Sequence, residues 1–248
     1  MDEKRTQKVF VSLCKKVGYT SKKYTLIEPG DRIMIGVSGG KDSLFLLESL
    51  ADRIKHLPFK VELIACHVHI KEVGYKIDTG FLTKMCNELG VELHIEELST
   101  DLQANPRKAP CFVCSWHRRK RLFELTKKLN CNKLALGHHI DDAIETLMMN
   151  MIYHGTISSL PAKLSMFGGR LKLIRPLIEL TNAEMLNVAS IREYPQLKSQ
   201  CPYGDDTNRI KMRRLVEAMG EMNKDARKNI FRSMGRVIPE YLPDISES

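Results

Sequence analysis

Six consecutive residues, Ser38-Gly39-Gly40-Lys41-Asp42-Ser43, carry groups suited to holding a phosphate. Paired glycines let a backbone turn tightly and approach an anion closely. A helix starting just after them adds N–H donors and a partial positive charge. Ser38 and Ser43 supply hydroxyls, Lys41 a cation and Asp42 a carboxylate able to hold magnesium. The spacing is not that of a Walker A loop. From Gly36 to Lys41 it is one residue short, and Asp42 stands where Ser or Thr would hold the metal.

A second group is built on sulfur. The chain has seven cysteines: Cys14, Cys66, Cys86, Cys111, Cys114, Cys131 and Cys201. An odd number in a chain that opens MDEKRTQKVF, without a secretory leader, argues against a disulfide framework. Cys111-Phe112-Val113-Cys114 forms a C-x-x-C pair, and His117 and Cys201 complete a possible Cys₃His set. Such residues fit zinc or part of an iron–sulfur site, and their chemistry alone leaves both open. Cys14, Cys66, Cys86 and Cys131 stand singly and read as core or surface thiols. A third group, Gly137-His138-His139-Ile140-Asp141-Asp142, puts two carboxylates where a helix would open. Asp141 there reads as a cap favoured by the helix dipole.

The elements that must position these groups alternate. Pro29-Gly30-Asp31 turns into an apolar run at 32–37 of strand length, and 43–56 follows with helical spacing. Strands at 61–70, 91–95 and 133–137 then alternate with helices at 77–89, 114–129 and 141–153. This predicts an α/β fold, a mostly parallel sheet with helices on both faces, with ligands at the carboxyl ends of its strands. We expect three parts: a helical segment at 1–25, an α/β domain at 26–178, and a helical region at 179–248 packed on it. Met148, Met149 and Met151 read as core.

Charge completes the picture. With 39 Lys and Arg against 30 Asp and Glu, the net charge is +9. From residue 107 to 133 nine bases face one acid, Glu124, and a second basic group follows at Arg209, Lys211, Arg213 and Arg214. Arg118 falls one helical turn after Cys114, on the same face. Such surfaces favour a polyanion. No apolar run reaches the roughly 20 residues of a membrane span, and a cytoplasmic protein is expected.

The loop at 38–43, the cysteine pair, Gly137–Asp142, Arg175-Pro176-Leu177 and Cys201 occur in the order seen in the tRNA 2-thiocytidine synthetases. The chain resembles that family of the PP-loop ATP pyrophosphatase superfamily over about residues 25–243. The resemblance implies ATP bound by Ser38, Gly39, Gly40, Lys41, Asp42, Ser43, Gly137 and His138, with magnesium on Asp42. It implies catalytic roles for Asp42, Asp142 and Arg118, and a [4Fe–4S] cluster on Cys111, Cys114 and Cys201. Arg118, Arg119, Lys120 and Arg121 would hold the RNA. The implied reaction adenylates the C2 oxygen of an anticodon-loop cytidine in tRNA and replaces it with sulfur. The donor would be sulfide or persulfide from a cysteine desulfurase, and a homodimer is expected. Thiolation of a tRNA uridine, or a zinc-containing amidating ligase, are the alternatives.

Overall fold

The computed structural model describes residues 3–73, 77–103, 109–196 and 208–242. They fall into two compact units, one of Met1–His139 with Pro161–Thr207 and one of Ile140–Leu160 with Asn208–Ser248. These units do not follow the boundaries expected at residues 25 and 178.

The first unit is built on a sheet. Among the described residues six strands join it in the order β3-β2-β1-β4-β6-β5. They are β1 (Arg32–Gly36), β2 (Glu62–Ile70), β3 (Glu92–Leu98), β4 (Lys133–Ala135), β5 (Lys163–Met166) and β6 (Leu171–Ile174). All neighbours run parallel except β5, which pairs antiparallel with β6. The sequence reading predicted neither strand of this hairpin. Each is four residues long, and the run breaks at Gly168-Gly169, where both glycines have positive φ.

Strand length follows burial. On β2 the side chains of Ile64, Cys66 and Val68 join Met34 and Leu134 in one core under Leu122 and Leu125. Leu63, Ala65, Ile33 and Ile35, at the alternate positions, are buried too. A strand covered on both faces reads as a continuous apolar run, which is why periodicity located β1 and β2 closely.

The helices of this unit are α1 (Glu3–Lys23), α2 (Lys41–Ile54), α3 (Thr79–Leu89), α4 (Pro110–Lys128) and α6 (Asn182–Ile191). Thr181 and Glu184 close a capping box at the start of α6, and Glu184 also takes Lys16 of α1 at 2.8 Å. The buried Glu48 of α2 accepts from Arg192 and Tyr194, just past α6. These bonds tie residues 181–194 to the sheet unit.

The second unit comprises α5 (Ile140–His154), α7 (Asn208–Met222) and α8 (Ala226–Ser233). Ile140, Ile144 and Val216 form its core, with Met148, Ile230 and Phe231 against it. Met151, expected in the core, is 46% exposed, in the last turn of α5.

Candidate active site

Strand β1 ends where the strand order reverses: the chain runs outward to β2 and β3 on one side and to β4 and β6 on the other. Such a switch point opens a crevice beyond the carboxyl ends of the strands. The loop at 38–43 leaves β1 at that point. Gly39 takes φ +83°, and Gly40 is extended and caps α2 without any side-chain bond. The first N–H groups of a helix lack acceptors within it, so an uncapped start leaves them for a ligand. The two hydroxyls have another task. Ser43 Oγ donates to the Gly40 carbonyl at 2.8 Å and accepts from the Ser38 amide at 3.1 Å. Ser38 Oγ accepts from the Gly40 amide at 3.3 Å. Both serines brace the loop, and its donors to an anion are backbone amides and Lys41. Lys41 Nζ holds both oxygens of Asp42, at 2.9 and 3.0 Å.

The neighbouring segments press close. A Cβ on Gly137 would stand 3.0 Å from the carbonyl carbon of Asp42 and 3.1 Å from the Ser43 nitrogen. A Cβ on Gly39 would stand 2.5 Å from Ile77 Cγ2. His138 beyond Gly137 is half-buried and His139 buried. On the other side stands His67, a residue the sequence reading did not select. Its Nδ1–H donates to the Val37 carbonyl at 2.8 Å, and its ring stacks on His69. Burial above all, helped by the nearby Arg118 and His69, pulls its pKa below the usual imidazole value. The available signal was two histidines at i, i+2 near the end of a buried strand.

Helix α4 starts earlier than predicted. Pro110 opens it, so Cys111 and Cys114 both lie in its first turns. Cys114 and Val113 pack against Ile70 and Val73, at and just past the carboxyl end of β2. Further along, Leu122 Cδ1 would be 3.3 Å from a Cβ on Gly36. The helix therefore brings its cysteines to the same sheet edge as the loop, and Arg118 is near enough to act on His67. Both cysteines are half-buried and neither is in a disulfide. Cys14, Cys66, Cys86 and Cys131 are buried, as expected for core thiols. Burial pushes Cys14 and Cys66 up to about 12 and Cys86 to about 11. Among the described residues no three His, Cys, Asp or Glu side chains are gathered to hold a metal. Cys201, the expected third thiol, lies outside the described residues.

The basic residues divide. Arg119 and Lys120 are exposed. Arg121, grouped with them for RNA, donates instead to Glu96 of β3 at 2.7 Å and to Glu124 at 3.1 Å. In the second unit Arg209 holds Asp142 at 2.5 Å and Glu145 at 3.0 Å. Arg213 reaches Glu145 at 3.3 Å, and Arg227 holds Asp141 at 2.6 Å. Two arginines of the second basic group thus pair with Asp142 and Glu145 of α5, and Asp141 is an ion-pair partner of Arg227 as well as a residue of the first turn. Arg175 is buried and donates to the Pro161 carbonyl at 2.6 Å, a brace within the sheet unit.

A PP-loop domain family matches residues 8–217. A tRNA-cytidine(32) 2-sulfurtransferase of Geobacter sulfurreducens is 33% identical over 237 residues, 92% of this chain and 91% of that protein. Its counterpart in Syntrophotalea carbinolica is 34% identical over 96% of this chain and 94% of its own length. The chain belongs to the PP-loop family of tRNA sulfurtransferases. Among solved structures, the U34-tRNA thiolase NcsA of Methanococcus maripaludis, with its [4Fe–4S] cluster, is 28% identical. It aligns with a TM-score of 0.78 over 94% of this chain and 81% of its own. The mostly parallel sheet and the loop at its switch point are thus features of this PP-loop fold. No described helix is long and apolar enough to cross a membrane.

Proposed function

We propose that this member of the PP-loop family is an ATP-dependent tRNA sulfurtransferase that exchanges the C2 oxygen of an anticodon-loop cytidine for sulfur. The observation that carries the reading is the shared sheet edge: α4 packs Cys114, one turn after Cys111, against the carboxyl end of β2, and the uncapped phosphate loop leaves β1 at the same edge. The amides opening α2 would hold the phosphates leaving as pyrophosphate, and Lys41 would offset their charge. Asp42 would then exchange its bond to Lys41 for magnesium. Arg118 would balance charge at the α-phosphate when the base oxygen attacks it, with AMP leaving later.

The donor set suits a cluster. Two half-buried thiols one helical turn apart are soft ligands, and Arg118 near the strand end offsets thiolate charge. Cys111, Cys114 and Cys201 would hold a [4Fe–4S] cluster, whose chemistry when bound is to present sulfur to the activated base. The donor would be sulfide or persulfide made by a cysteine desulfurase. Asp142 takes part in nucleotide activation in this reading, its carboxylate fixed by Arg209. Two copies would form the working unit, in the cytoplasm, where tRNA meets reduced thiols.

The test is mass spectrometry of tRNA nucleosides from the native strain and one lacking the gene. Loss of 2-thiocytidine, restored by the native gene and not by Cys111→Ala or Cys114→Ala, supports the reading. Unchanged thionucleosides would overturn it. A second target has its own support in the likeness to the U34 thiolase. Loss of a thiouridine would assign that base and keep the chemistry.

A further inference from the structure

The outer face of α4 is not accounted for by ATP or the cysteines. Residues spaced by four share a helix face, and Phe112, Trp116 and Lys120 have that spacing. Phe112 is 47% exposed and Trp116 46%. Trp116 is the chain's one tryptophan. At about 100° per residue it points about 200° around the axis from Cys114, so core packing against the strands does not explain it. The Lys120 ammonium stands 5.4 Å from the centre of its ring, and the His117 ring meets it edge-on at 4.9 Å. Arg119, an exposed cation three residues after Trp116, bonds back to the Ser115 carbonyl at 3.2 Å. Glu124 is the helix's one acid and is bound to Arg121. An exposed indole between cations attracts a flat group attached to an anion. An unpaired nucleotide is such a group, since every base has a π-face and carries a phosphate.

We propose that Phe112, Trp116 and Lys120 form a stacking platform for one unpaired base of the RNA. Trp116 is the floor, and Lys120 and Arg119 hold the adjoining phosphates. The platform rests on the tRNA reading above and adds a contact about one helix diameter, 10–12 Å, from the cysteine face. It takes a base other than the one modified. The contact is sequence-tolerant, because stacking reads no hydrogen-bond pattern.

The single tryptophan makes the test direct. Indole fluorescence is followed while unmodified tRNA, a short unstructured oligoribonucleotide or an RNA duplex of equal length is added to the full chain. Binding is measured separately by filter retention. We expect saturable quenching with tRNA and the single strand and none with the duplex. Trp116→Ala should weaken tRNA binding about tenfold, with Trp116→Phe recovering most of it. Retention of tRNA with unchanged fluorescence, or native affinity in Trp116→Ala, overturns the platform and leaves the tRNA reading standing. A native protein that retains no tRNA overturns both. If Trp116→Ala keeps native RNA affinity but splits a dimer by sedimentation, the face belongs to a second copy and the proposal falls.

Discussion

Replacing Gly137 by Ala tests whether the loop after β4 has to touch the phosphate loop. The added carbon would stand 3.0–3.1 Å from three backbone atoms, the carbonyl carbon and oxygen of Asp42 and the nitrogen of Ser43. Comfortable carbon contacts lie at about 3.5–4.0 Å, so one backbone must retreat by roughly half an ångström. Neither has a flexible end to give. Overpacking of this kind costs about 1–3 kcal/mol, which in a chain of this size lowers the melting temperature by roughly 2–4 °C per kcal/mol. Catalysis should suffer more, because a misplacement near 1 Å can cost about 100-fold. Release of AMP from ATP in the presence of tRNA should therefore fall 10- to 100-fold, while far-ultraviolet circular dichroism is retained. Gly18→Ala is the control. It lies in the middle of α1 with its nearest neighbours at 3.5 Å, so it should leave AMP release intact and raise stability by about 0.5–1 kcal/mol. If Gly137→Ala forms AMP within threefold of the native rate, the close approach is not what shapes the site.

Four further outcomes follow from the ion pairs and thiols. Lys133 is fully buried and donates to Leu26, Glu28 and Asp31, so Lys133→Met should lower unfolding free energy in urea by about 3–5 kcal/mol; a loss under 1 kcal/mol would refute its role as anchor. Lys133 first and Lys172 next hold the Glu28 carboxyl down to about 2. A carboxyl depressed on folding stabilises above its unfolded pKa, so this contribution should fade as pH drops from about 4.3 to about 2. Acid unfolding should show less of that slope in high salt, Glu28 being half-exposed. In folded protein freed of metal by a chelator, iodoacetamide should modify Cys111 and Cys114 before Cys14, Cys66 or Cys86, whose thiols burial holds near 11–12; peptide mapping checks the order, and early labelling of Cys66 would contradict it. Asp142→Asn breaks a pair whose arginine is 46% exposed, so it should cost at most about 1 kcal/mol. AMP release should fall at least tenfold, and an unchanged rate would leave Asp142 as a partner of Arg209 only.

The sequence reveals most where one local force decides. The loop at 38–43 was legible because glycines, a cation and a carboxylate follow an apolar run, and few other arrangements need that set. β1 and β2 were legible because burial on both faces leaves their interiors mostly apolar, His67 and His69 apart. The hairpin of β5 and β6 was not. Its strands are four residues each, too short for a period to build up. Arg121 shows a different limit. In the chain it belongs to a run of bases, and only the fold brings Glu96, twenty-five residues earlier, against it.

The same limit governs the second basic group. Charge counted along a chain says how many cations there are, not how many remain after folding. Arg209 and Arg213 are bound to Asp142 and Glu145, and Arg227 to Asp141, so three acids of α5 are matched by three arginines, two of which the sequence counts as part of an anion surface. On α4 the balance is the reverse: Glu124 occupies only Arg121, and Arg119 and Lys120 stay exposed beside an indole. A surface that keeps its cations after internal pairing is the one with field left to attract a polyanion. Lys211 and Arg214 of α7 stay exposed as well, so the indole beside Lys120, a feature α7 lacks, is what puts the proposed RNA contact on α4.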